Sequence, residues 1–102
     1  MTVVAFCDDL MDRSRLAPAV ADVVFAREPG AAAGATVVVV DLARYGARLA
    51  EIRAAAPAAR IVAFGSHVDR DALGGAEAAG ADAVLPRSRF FQDPAAALTL
   101  AP

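Results

Sequence analysis

Five short apolar runs recur along the chain, each bounded by turn-forming or charged residues: TVVAF (2–6), DVVFA (22–26), TVVVV (36–40), RIVAF (60–64) and DAVLP (82–86). They are rich in β-branched residues and do not alternate polar with apolar, which predicts strands covered on both faces. The segments between them supply the cover. DDLMDRSRLA starts at an N-cap aspartate, Asp8 or Asp9, and should run to Pro18, which disfavours continuation. GAAAG has room for a turn or two of helix. ARLAEIRAAAP puts Leu49 and Ile52 on one side, with Arg48, Glu51 and Arg53 on a solvated face, and stops before Pro57. DRDALGGAEAAG opens at Asp69 as N-cap and stops at Gly80, and DPAAALTLA opens with Asp93 as cap and Pro94 at the first helical position.

Five alternations of strand and helix predict one domain spanning 1–102: a three-layer α/β/α sandwich on a five-stranded parallel sheet, flavodoxin-like, with helices 2 and 5 shortened. Alanine-rich helices are thin, so they can pack close to the sheet.

Composition narrows the function classes. With 58% hydrophobic and 22% charged residues the chain is not disordered, and a net charge of −2 gives no footprint for nucleic acid or an anionic membrane. No apolar run approaches the roughly 20 residues that span a bilayer. A single cysteine makes no internal disulfide, so the expectation is a soluble cytoplasmic protein. All ten basic residues are arginine, which excludes lysine-dependent chemistry such as a Schiff base or a P-loop.

In open parallel sheets ligands bind outside the carboxyl ends of the strands. Those ends carry Cys7, Asp8 and Asp9 after strand one, Asp41 after strand three, Ser66 and His67 after strand four, and Arg87, Ser88 and Arg89 after strand five. Helix capping accounts for Asp69 and Asp93; it explains Asp41 poorly, because LARYG does not open a helix at once. Carboxylates converging on one edge need a cation to coexist. Asp8, Asp9 and Asp41 suit Mg²⁺, an oxygen-seeking ion, and Arg87 or Arg89 would neutralise them without any metal. Two further readings use the same edge. Ser66, His67, Arg87, Ser88 and Arg89 suit a small phosphate or carboxylate anion, and Cys7 with His67 suits a thiol enzyme. No Gly-rich dinucleotide fingerprint follows strand one.

Taken together, FCDDLMDRSRL, VVVVDL, IVAFGS and especially EAAGADAVLP resemble the response-regulator receiver domain over essentially the whole chain. The resemblance implies Asp41 as phosphoacceptor for a histidine kinase, Mg²⁺ held by an acidic pair, and a signalling face on the fourth helix and fifth strand. The chain departs from that pattern in several places. Arg87 stands at the family's lysine, and arginine is not a compact ammonium. Gly65 stands at the Ser/Thr position, with Ser66 adjacent, and the acidic pair is either Asp8 with Asp9 or Cys7 with Asp8. The loop after Asp41 lacks the usual Met-Pro segment, and the second helix is nearly gone. The sequence thus reads as a stand-alone, atypical or pseudo-receiver, not an enzyme, acting by regulatory protein–protein contact with phosphoryl acceptance at Asp41 secondary. Its partner would be a histidine kinase or another regulatory protein, with homodimerisation left open. The contact surface would include Arg89, Phe90 and Phe91.

Overall fold

The structure, a computed structural model, describes residues 2–66 and 70–99. Five strands, β1 (Val3–Phe6), β2 (Val24–Phe25), β3 (Val37–Asp41), β4 (Arg60–Gly65) and β5 (Ala83–Pro86), pair in parallel in the order β2-β1-β3-β4-β5. This is the flavodoxin-like order, with its switch point between β1 and β3. Because side chains alternate along a strand, the valine run of β3 feeds two cores at once. Val38 and Val40 pack with Phe6, Leu49, Ile52 and Ile61 on one face, while Val37 and Val39 pack with Cys7, Leu16, Phe64 and Phe90 on the other. Burial on both sides is why these runs carry no polar alternation.

Helix α1 (Leu10–Ala19) starts at Asp9, whose side chain accepts from the Asp12 N–H. It passes through Pro18, where a stop was expected, because in the last turn a proline removes only one intrahelical bond. The second helical segment is a single 3₁₀ turn at Pro29–Ala32. Helix α3 (Leu49–Ala55) and helix α4 (Arg70–Ala78) follow the expected spans, while the cap predicted at Asp69 lies outside the described residues.

Three local expectations are corrected. Asp41 is an N-cap: its side chain accepts from the Ala43 N–H and opens α2 (Leu42–Tyr45), a one-turn helix too short to show a period. Arg87–Gln92 forms helix α5 directly after Pro86, and α6 (Pro94–Ala97) follows with Asp93 as cap, so the end of the fold is two short helices and not one. Arg53 does not lie on a solvated face. Its guanidinium donates to the carbonyls of Ala56, Pro57, Ala59 and Gly80 and pairs with Asp82, tying the end of α3 to the loop before β5.

Candidate functional site

The site grows from the carboxyl ends of β1, β3 and β5. Phe6 and Val40 are register partners, so the residues after them, Cys7 and Asp41, emerge side by side at the switch point. From α1, Asp12 shares the inward stripe with Leu16 and Val20 and is 1% exposed; Asp41 is 5% exposed. From the start of α5, Arg87 reaches across and donates a charge-assisted hydrogen bond to Asp12 Oδ1. Cys7 Sγ and carboxylate oxygens of Asp12 and Asp41 lie within 4.8 Å of one another. A depression of about 320 Å³ opens onto the two carboxylates, lined by Asp9, Asp12, Asp41, Ala43, Arg44 and Arg87.

Electrostatics follows from burial. Desolvation raises the Asp41 pKa above the usual carboxylate value, opposed by the Ala43 N–H and the Arg87 charge. Burial, with Asp12 and Asp41 adding to it, pushes the Cys7 thiol up to about 12. Arg87 is held protonated chiefly by its bond to Asp12. The depression therefore holds three carboxylates and two guanidinium groups, with the neutral Cys7 thiol buried beneath the Asp12 and Asp41 carboxylates. Asp12 Oδ2 is buried with no hydrogen-bond partner among the described residues, so the Arg87 contact is made through one oxygen only.

Of the acids expected to share a cation, Asp9 and Asp41 line this depression, but Asp9 is also engaged as the α1 cap. Asp8 Oδ1 instead accepts from the Tyr45 hydroxyl and faces Arg13 and Arg27. Asp12, absent from the sequence reading, takes the inner position. The signal that marks it is an acid three residues past a cap, on the stripe of buried Leu16. Gly65 ends β4 where a Cβ would meet Leu42 at 3.3 Å and Leu73 at 3.4 Å, so a hydroxyl-bearing side chain there requires both leucines to give. Ser66 is exposed just beyond, and His67 lies outside the described residues.

The two phenylalanines part company. Phe90 is fully buried, its ring 4.8 Å from that of Phe64, which removes it from the expected contact surface. Phe91 is half-buried, with the Arg15 and Arg87 guanidinium groups 5.9 Å and 5.1 Å from its ring centroid. Ser88 and Arg89 are exposed on α5.

A thiol enzyme needs a thiolate and a path to it. Cys7 has no exposed surface, and its thiol is protonated at neutral pH. A thiol-reactive dye added to the native protein is therefore expected to label Cys7 only at the rate of opening, and at once in denaturant. Prompt native labelling would overturn the placement of Cys7.

No family model matches the sequence, and no curated protein matches it either. Among solved structures the chain is similar to a response regulator from Burkholderia pseudomallei determined with a phosphorylated aspartic acid, a calcium ion and citrate (20% identity, TM-score 0.78). That likeness covers 96% of this chain and 66% of that one, about two thirds of its length. It is also similar to a response regulator from Thermotoga maritima (16%, 0.72; 97% and 98% covered). A third is the CheY-like protein TadZ from Pseudomonas aeruginosa (20%, 0.66; 99% and 95%). The fold is that of receiver and CheY-like domains. Among the described residues no helix is long and apolar enough to cross a membrane.

Proposed function

We propose that this domain is a receiver-fold signalling module that acts through protein–protein contact, with Arg87 standing where a receiver holds a divalent cation. The observation that carries this reading is the Arg87–Asp12 pair inside the depression that contains Asp41. Mg²⁺ takes an all-oxygen shell. Here one inner position is a neutral thiol, Asp12 Oδ1 is held by a guanidinium, and Asp8 is directed to Tyr45. A donor set of this kind does not fit Mg²⁺. The charge that would balance a phosphoryl group on Asp41 is then limited to arginine, and stabilising that charge is the main demand of phosphoryl transfer. On this reading the domain catalyses no reaction of its own, resides in the cytoplasm, and presents a fixed surface to a kinase or another regulatory protein.

The test is intact-mass spectrometry after incubation with acetyl phosphate and Mg²⁺, comparing the parent with Asp41→Asn. The expected result is no phosphoryl adduct that depends on Asp41. An adduct present in the parent and lost in the variant would establish Asp41 as a working phosphoacceptor and overturn the cation-replacement reading.

A further inference from the structure

Beside the strand-end depression, on the outer face where α1 meets α5, lies a larger open one of about 760 Å³ lined by Arg15, Arg87, Ser88, Arg89, Phe91 and Gln92. Among the described residues its lining holds three guanidinium groups, a hydroxyl and a carboxamide, and no carboxylate. Among the described residues Arg15 and Arg89 form no ion pair, in a chain whose net charge is −2. Two acids lie close by: Asp12 holds one nitrogen of Arg87 from the inside, and Asp93, lining the neighbouring hollow with Arg89 and Gln92, caps α6 by accepting from the Ala96 N–H. Arg87 is thus balanced by Asp12, while Arg15 and Arg89 carry charge that no ion pair among the described residues takes up. Arg15 and Arg87 are both drawn to the ring of Phe91, which brings two guanidinium groups from different elements to one aromatic ring before any ligand arrives.

We propose that this depression binds a small polyphosphate-type anion, a ligand carrying a pyrophosphate or comparably linked pair of oxyanions. Guanidinium forks match phosphate oxygens in geometry and charge, and arginine stays protonated at any working pH. Three of them around one hollow exceed what a single phosphate uses, and the volume exceeds it too. Ser88 and Gln92 add neutral donors, and the half-buried ring of Phe91 with its guanidinium partners offers an apolar wall to whatever the phosphates are attached to. The site shares Arg87 with the depression that holds Asp41 but draws its other lining residues from α1 and α5.

The test is titration of the folded protein with inorganic pyrophosphate, inorganic phosphate and a nucleoside diphosphate, followed by backbone amide shifts and calorimetry at fixed ionic strength. Saturable binding of pyrophosphate is expected, stronger than that of phosphate, with the largest shifts in residues 87–92. Arg15→Ala and Arg89→Ala should each weaken it about tenfold, the scale of losing one charge-assisted hydrogen bond. Arg70→Ala, an equal charge change on exposed α4, should leave it unchanged. A nucleoside diphosphate binding tighter than pyrophosphate identifies the source as nucleotide; equal affinities identify the inorganic anion. Absence of saturable binding at millimolar pyrophosphate, or equal weakening by all three variants, would overturn the site. Arg87 is left intact because its loss would disturb Asp12.

Discussion

Replacing Arg87 by methionine is expected to destabilise the domain by about 2–3 kcal/mol at neutral pH, lowering the melting temperature by roughly 10–20 °C. The reason is the partner left behind. Asp12 is 1% exposed with one oxygen unpaired among the described residues, and Asp41 beside it is 5% exposed. Stripping the guanidinium from a fully buried carboxylate would cost more, but the Arg87 side chain is 43% exposed, so water already screens part of the interaction. Methionine keeps an apolar stem against Phe64 and Phe91, which isolates the charge from the packing.

The pH dependence of that deficit separates it from a packing defect. Burial holds the Asp41 pKa above its unfolded value. A carboxyl so raised favours the folded state fully below the unfolded carboxylate pKa of about 4 and loses that contribution as pH rises through the folded value. Arg87 is one of the charges that oppose this rise at Asp41, so the deficit of Arg87→Met should be largest near neutrality and shrink steadily on acidification. Arg87→Met with Asp12→Asn should recover much of the loss. Urea melts across pH check both; a deficit that is flat with pH would mean that Arg87 contributes packing alone.

Much of the frame was legible from sequence, and the boundary of legibility has a physical cause. Strands buried on both faces write themselves as uninterrupted valine and isoleucine, which is why β1, β3 and β4 fall within a residue of their predicted spans. Elements of one turn write nothing periodic. Asp41 looked unsuited to capping because four residues, Leu42–Tyr45, carry no detectable period, and α5 was hidden because Arg87, Ser88 and Arg89 read as a polar loop. The strand-end position of Asp41 and Arg87 followed from topology. Their companion Asp12 did not, because an aspartate inside a helix ordinarily faces water, and only a partner from 75 residues away makes its burial tolerable. Arg53 misled for the same reason: its acceptors are carbonyls assembled by tertiary structure.

That assembly sets up the second large effect. Gly80→Ala is expected to cost about 3–4 kcal/mol. Gly80 sits at φ +116°, a region in which a side chain is strained by roughly 1–3 kcal/mol, and an added Cβ would stand 2.6 Å from Arg53 Cδ and 2.7 Å from Cγ. Those atoms are the middle of a chain whose guanidinium is fixed by four carbonyls and Asp82, so it cannot move aside without giving up charge-assisted bonds worth roughly 1.5–3 kcal/mol each in buried settings. Arg53→Ala alone should cost about 3 kcal/mol by releasing the same bonds. The double variant should then fall well short of the sum, because truncating Arg53 removes the two closest contacts, leaving its Cβ at 3.2 Å and the backbone strain. Chemical denaturation of the four proteins in the cycle measures the coupling, expected at about 2 kcal/mol. Strict additivity would mean that the penalty at Gly80 is conformational throughout and that Arg53 does not hold the α3–β5 corner in place.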